Sequence, residues 1–292
     1  MLVNGYIDRR FERLGRLVGE DGVRRLHDSH VLVAGMGGVG SWACEALVRS
    51  GIGRITLVDM DRVSLTTINR QMPALEDTID HPKVEVVAER LKQISPRAKI
   101  CPLFEHINPD SLPALLDPKS HDGKPIDFVI DAIDQLGNKC ALIVACKKNG
   151  IPIIISTGAG GRMDPTQVRI ADLAKTSIDP LARMVRVYLR KKHGFSTNST
   201  FKIPAVFSAE IPVEPIPPSH PDAERGRSEI TSAEGFDPQA PLSEEDLANK
   251  RNVIMGTMVG VTSVFGMAAA SHVLRELLAK PTGFAENSSP QV

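Results

Sequence analysis

Apolar residues fall along this chain in short, mostly unbroken runs, each closed by glycine or a polar residue. "HVLVA" (30–34), "RITLVD" (54–59), "IDFVID" (126–131) and "PIIIST" (152–157) show almost no alternation. A strand with one wet face alternates, whereas a strand covered on both faces does not. These runs therefore predict buried strands of a parallel sheet at His30–Ala34, Ile55–Asp59, Ile126–Asp131 and Pro152–Thr157. Between them the apolar spacing changes to three and four. That period predicts helical turns over 8–28, ending at Asp28 or Ser29, and helices over Ser41–Ser50, Lys83–Gln93 and Asn138–Asn149. Ala98–Leu103 reads as a further strand. Strands alternating with helices of this size give βαβ units, hence an α/β fold: a doubly wound, mostly parallel sheet with a Rossmann-like half.

After Ile170 the texture changes. "DPLARMVRVYLRKKHG" (179–194) has helical spacing, and "IPAVFSAE" (203–210) is strand-like. Pro212 to Lys250 is rich in proline and acid, which marks a surface excursion. The expected organisation is a Rossmann-like domain over 1–175 and a C-terminal α+β extension over 176–292, with its Pro/acid-rich loop at 212–250. Val253–Val273 carries no Asp, Glu, Lys or Arg and is long enough to cross a hydrocarbon core of about 30 Å. Its glycines, hydroxyl residues and histidine, and its scarcity of leucine, favour an element buried in the α/β core. Membrane contact through 253–273 is the less favoured alternative to a soluble, cytoplasmic protein.

Composition narrows the partners. Lys and Arg total 35 and Asp and Glu total 35, so no global field gathers nucleic acid, and any RNA contact must use a local basic patch. The cysteines are Cys44, Cys101, Cys140 and Cys146, with no CxxC pair among them. That spacing supports neither a paired-cysteine zinc site nor a disulfide framework, and it suits a reducing compartment. The first residues, "MLVNGYIDRRFERLGRLVGED", have charges where a signal peptide needs an apolar core.

The strongest local signal is "GMGGVG" (35–40), which succeeds one predicted strand and opens a helix. Gly35, Gly37, Gly38 and Gly40 let the backbone approach phosphates, and the helix N-terminus supplies free N–H donors. Asp59, at the end of the next strand, is placed to accept from ribose hydroxyls. These features indicate a nucleotide without saying which one.

Three downstream motifs identify the nucleotide. "DMDRVSLTTINRQ" (59–71), "HPKVE" (81–85) and "DAID" (131–134) complete a pattern that resembles the activating enzymes that adenylate the C-termini of ubiquitin-like and sulfur-carrier proteins. The resemblance implies ATP rather than a redox dinucleotide. It implies that Arg70 and Lys83 contact the triphosphate and that Asp134 holds Mg²⁺. Asp59 would bind ribose, with Asp61 and Asn69 in the same nucleotide-binding set. A surface ion pair for the two cations and a helix cap for Asp134 are the plain alternatives. Many members carry Asn where this chain has Thr67. Arg13, in "RFER", matches an arginine that in relatives reaches the partner subunit's ATP, which implies a homodimer; a solvated helix face explains it equally well.

The second half narrows the resemblance. "GAGGRMDPTQVRIADLAKT" (158–176), "DPLARMVR" (179–186) and "PAVFSAE" (204–210) look like the branch of the family that dehydrates threonylcarbamoyladenosine in tRNA. That branch activates the nucleoside's carboxylate with ATP and closes a ring, so tRNA is the implied partner. A monovalent cation and a sulfur-transfer protein are further possible companions, and no stable ubiquitin-like partner is expected. Some relatives carry a cysteine just before the "GTM" segment, whereas "KRNVIMGTM" (250–258) has none. On a helical wheel of 179–194, Arg183, Arg186 and Arg190 share one face and Leu181, Met184, Val185 and Tyr188 the other, which reads as an RNA-facing stripe or as an ordinary amphipathic helix. The alternative function is adenylation of a ubiquitin-like sulfur carrier.

Overall fold

The computed structural model describes residues 2–3, 6–216 and 255–279. Most of the expected Pro/acid-rich loop at 212–250 lies outside the described residues, as do Val253 and Ile254 of the uncharged segment. A short antiparallel pair, β1 (Leu2–Val3) and β2 (Tyr6–Ile7), precedes α1 (Glu12–Asp28). Gly19 breaks α1 into two pieces by adopting φ 73°, a conformation that glycine takes without strain.

β3 (His30–Ala34) is buried along its whole length. It is followed by α2 (Gly40–Arg49), β4 (Arg54–Val58), α3 (Lys83–Ile94) and β5 (Lys99–Leu103). Next come α4 (Leu112–Leu116), β6 (Phe128–Asp131), α5 (Leu136–Lys148) and β7 (Ile153–Ser156). β8 (Val168–Asp172), α6 (Pro180–His193), β9 (Pro204–Ser208) and α7 (Val259–Ala279) complete the described elements. The sheet order is β5-β4-β3-β6-β7-β9-β8. All neighbours are parallel except β8 and β9.

The chain winds outward from β3 to β5, then returns to place β6 on the other side of β3. Ligands of doubly wound sheets bind at this reversal, outside the carboxyl ends of the strands. Alternate strand residues feed two cores. Val31, Val33, Ile55, Leu57 and Ile130 pack with α2, α3 and α7, while Leu32, Ala34, Val129 and Ile155 pack with α4, α5 and α6. Burial on both faces is why these strands show no alternation.

α7 explains the uncharged segment. Val261, Phe265, Ala269, Ala270 and Val273 are buried in the first core. A Cβ on Gly266 would stand 2.4 Å from the Val39 carbonyl oxygen, so only glycine permits this approach of α7 to α2. Small residues here serve helix contact inside the protein, and no described helix is long and apolar enough to cross a membrane.

Candidate active site

The loop from Gly35 to Gly40 lies at the reversal point. Gly35 takes φ 93°, and a Cβ there would meet the Ala132 carbonyl oxygen at 2.8 Å. A Cβ on Gly40 would stand 1.7 Å from the Gly35 carbonyl oxygen. The tight turn therefore requires glycine at both ends. Val39, which precedes α2, makes no side-chain cap; the Ser41 N–H donates to the Gly37 carbonyl at 3.3 Å, and the N-terminus of α2 otherwise faces the glycine loop as an anion-receiving end. Gln135 likewise makes none at the start of α5, on the other side of the reversal.

Asp59 sits just beyond β4, and its carboxylate is already engaged. Oδ2 accepts from the Met36 N–H at 2.5 Å, and Oδ1 accepts from the Asp61 N–H at 2.7 Å. Burial pushes the Asp59 carboxyl above its ordinary pKa, against the pull of the nearby Lys83 ammonium and the two amides. Lys83 is buried at the start of α3 and places Nζ 2.8 Å from Asp61. The Lys83 N–H also donates to the Asp61 carbonyl at 3.0 Å.

Arg70 comes from the segment between β4 and α3. Its Cγ would lie 3.4 Å from a Cβ on Gly38, so the side chain crosses the glycine loop. Nη1 donates to the Thr66 carbonyl and to Asn69 Oδ1, each at 2.9 Å. Asn69 in turn donates to the Thr257 carbonyl at 2.8 Å. Asn69 thus joins Arg70 to the segment leading into α7. Thr67 is buried and its hydroxyl donates to the Ser64 carbonyl at 2.6 Å.

Asp134 is exposed in the turn between β6 and α5. It does not cap the helix, which starts at Leu136 after Gln135. The other acid of "DAID", Asp131, is fully buried and faces Lys139 Nζ across 2.8 Å, with Oδ1 accepting from the Ile133 N–H. Gly35, Gly37, Gly38, Gly40, Asp59, Asp61, Asn69, Arg70, Lys83 and Asp134 all belong to the elements and turns around the reversal point. Arg13 stands exposed in the first turn of α1, with no ion pair to this cluster among the described residues.

The chain's motifs extend beyond the nucleotide half. A profile of the ThiF family matches residues 11–289. The chain belongs to the ThiF family. Within it, the tRNA threonylcarbamoyladenosine dehydratase of Haemophilus influenzae is 41% identical over 94% of this chain and 95% of that protein. The crystal structure of the Escherichia coli tRNA N6-threonylcarbamoyladenosine dehydratase in complex with ATP superposes with a TM-score of 0.75. It is 36% identical and covers 93% of this chain and 94% of its own. The E. coli molybdopterin-synthase adenylyltransferase is 34% identical over only 49% of this chain.

Several residues escaped sequence reasoning. Gln71 places Nε2 3.7 Å from where a Gly37 Cβ would stand, and Thr262 of α7 lies 3.2 Å from a Gly38 Cβ. Gln71 comes directly after Arg70 in the motif, but nothing in the sequence brings Thr262 back to the loop. The Gly-rich turn after β7 is held by a buried ion pair, Arg162 to Asp179 at 3.1 Å. Arg162 also donates to the Gly158 and Gly160 carbonyls.

The wheel drawn for α6 needs correction. Its buried stripe is Ala182, Val185 and Leu189, whereas Leu181, Met184 and Tyr188 are only partly covered. The inward face is thereby turned toward the arginines. Arg186 donates to Thr176 Oγ1 and the Leu173 carbonyl, Arg190 lies over the Phe201 ring at 5.3 Å, and Arg183 is partly buried. Ala182 and Leu189 were the signal, and omitting them displaced the face.

Proposed function

We propose that this protein is an ATP-dependent, AMP-forming dehydratase that cyclises threonylcarbamoyladenosine beside the anticodon of tRNA. One observation carries the choice between substrates. The likeness to the Haemophilus influenzae dehydratase spans 94% of the chain, whereas the likeness to the E. coli molybdopterin-synthase and sulfur carrier protein ThiS adenylyltransferases spans 49% and 52% of it.

The chemistry is an in-line displacement. The nucleoside's carboxylate attacks the α-phosphorus of ATP, forming an acyl–O–P bond and expelling pyrophosphate. A nucleophile of the same side chain then attacks the activated carbonyl carbon, and AMP leaves with the oxygen that would otherwise depart in water. Because that nucleophile is tethered, ring closure benefits from a high effective molarity and needs no covalent enzyme intermediate.

The residues suit these demands. The glycine loop and uncapped α2 receive phosphates, while Arg70 above Gly38 and Lys83 beside Asp61 offset charge that grows on them. Among the described residues no group of three or more His, Cys, Asp or Glu could hold a metal alone. A lone exposed carboxylate at Asp134 fits Mg²⁺ arriving with the triphosphate, since Mg²⁺ commonly takes one or two carboxylates plus phosphates and water. When bound, such an ion would neutralise phosphate charge.

The active unit is a homodimer in which Arg13 reaches the partner's nucleotide, and the setting is the cytoplasm. Exposed Leu65, Ile68, Met258 and Val259 support an interface, because the 65–69 and 257–259 segments are joined by the Asn69–Thr257 hydrogen bond. Residues 1–175 carry the nucleotide chemistry, and the extension after 176 supplies RNA-facing surface.

The test is mass spectrometry of anticodon-loop nucleosides from cells with and without the gene, extracted so that the cyclic form survives. The cyclic nucleoside should disappear with the gene and return when purified protein, ATP and tRNA are combined. Unaltered nucleosides in the deletion would defeat the reading.

A further inference from the structure

The charge balance of this chain is even overall but not locally. No Asp or Glu occurs between Asp134 and Asp164, or between Asp179 and Glu210. These two stretches contain α5 and α6, which pack on each other in the second core. Their C-terminal ends meet at a groove of about 420 Å³ whose lining includes Lys147, Lys148, His193, Phe195 and Phe201. Lys191 and Lys192 are exposed near the end of α6, and Lys202 is exposed in the segment between α6 and β9, next to Phe201. Among the described residues, none of these lysines lies within ion-pair distance of an acid. Phe195 meets Phe201 edge to face at 5.0 Å, giving the groove an aromatic wall.

Cations at a helix C-terminus offset its partial negative charge, and that accounts for one or two lysines on each helix. It does not account for acids being absent from both stretches, for Lys202 beyond the helices, or for a groove between them. Charges that repel one another at this density serve a polyanion better than the fold.

We propose that the groove at the ends of α5 and α6 is a second tRNA contact that grips phosphate backbone away from the reacting nucleoside. The inference rests on the tRNA reading above. α5 starts just after Asp134 and runs for 13 residues, so its far end is about 20 Å from the adenylation centre. A duplex stem of that length carries on the order of ten phosphates, so one RNA can span both places. The contact moves the RNA-facing surface from Arg186 and Arg190, which are engaged within the protein, to the lysines beyond them.

The experiment replaces Lys148, Lys191, Lys192 and Lys202 together by Ala in the full-length protein. Binding of tRNA carrying threonylcarbamoyladenosine is followed by fluorescence anisotropy across a salt series. The expected result is roughly tenfold weaker binding, with a salt slope smaller in magnitude by about three, because each lost phosphate contact removes about 0.7–0.9. The corresponding Lys→Arg quartet should restore both. Lys191→Ala and Lys192→Ala singly, each with wild-type melting, provide the same reading should the quartet fold poorly. An affinity within twofold and an unchanged slope, in a wild-type protein that does form the cyclic nucleoside, would overturn this contact alone. A wild-type protein that neither binds tRNA nor cyclises its nucleoside would overturn the functional reading and this contact with it.

Discussion

The carboxylate of Asp59 and the backbone amide of Met36 are 2.5 Å apart, so the acid expected to hold ribose also braces the phosphate loop. Asp59→Ala removes both the nucleotide contact and the acceptor for the Met36 and Asp61 amides. Leaving a buried donor unpaired costs about 1–3 kcal/mol, so ATP affinity and thermal stability should fall together. Calorimetric titration with ATP and a melting curve check this. Normal melting with lost ATP binding would show that the brace is dispensable.

Arg70 and Lys83 reach the loop from different elements, one lying over Gly38 and the other paired with Asp61. If both stabilise charge developing on the phosphates, Arg70→Ala and Lys83→Ala should each slow AMP release by a hundredfold or more, about 3 kcal/mol. The measurement is single-turnover AMP formation with modified tRNA present. Near wild-type rates in both variants would remove them from the reaction.

His30 should tie stability to pH. Its ring is enclosed at the start of β3, with Nε2 2.9 Å from Thr56 Oγ1 and an edge contact to His121. Burial first, then His121 and Arg54, lower its pKa to about 4. The folded state therefore binds fewer protons than the unfolded state below the ordinary pKa of 6.5. Stability is fully present above that value and is lost as pH falls toward 4, on the order of 2 kcal/mol from this group. His27 and His272 are shifted downward too, with burial as the leading cause, and share the slope. Urea midpoints at pH 7.5 and 5 should show a smaller drop for His30→Gln than for wild type; equal drops would assign the slope elsewhere.

Most of the parallel sheet was readable because β3, β4, β6 and β7 are buried on both faces and their turns carry a glycine or an acid; β5, a partly exposed edge strand, was readable from its place after the α3 pattern. His30–Ala34 and Lys99–Leu103 fall within a residue of their sequence boundaries. α5 begins earlier than expected, at Leu136, since "LG" gives no starting signal. β8 was unmarked because it is an edge strand with mixed exposure. That β9 inserts between β7 and β8 is a long-range fact that no local pattern encodes. The site divides the same way. Gly35, Asp59, Arg70, Lys83 and Asp134 belong to motifs, whereas Thr262 and the Arg162–Asp179 pair reach their places only through tertiary packing.

Cysteine replacement separates ring closure from thioester transfer. A transferring enzyme needs a thiolate, whereas ring closure uses a nucleophile carried by the substrate. Cys44, Cys140 and Cys146 are buried, and Cys101 is partly so, in β5. Burial raises the Cys44 thiol well above its usual range and pushes Cys140 and Cys146 up to about 12, so none of the three supplies appreciable thiolate at neutral pH. Replacing all four by Ala or Ser removes small buried groups and should lower the melting temperature. At a temperature where this variant stays folded, it should still convert threonylcarbamoyladenosine in tRNA to the species lighter by one water, with ATP going to AMP. If the folded variant releases AMP and pyrophosphate but forms no cyclic nucleoside, a cysteine carries the acyl group and the tethered-nucleophile mechanism is wrong.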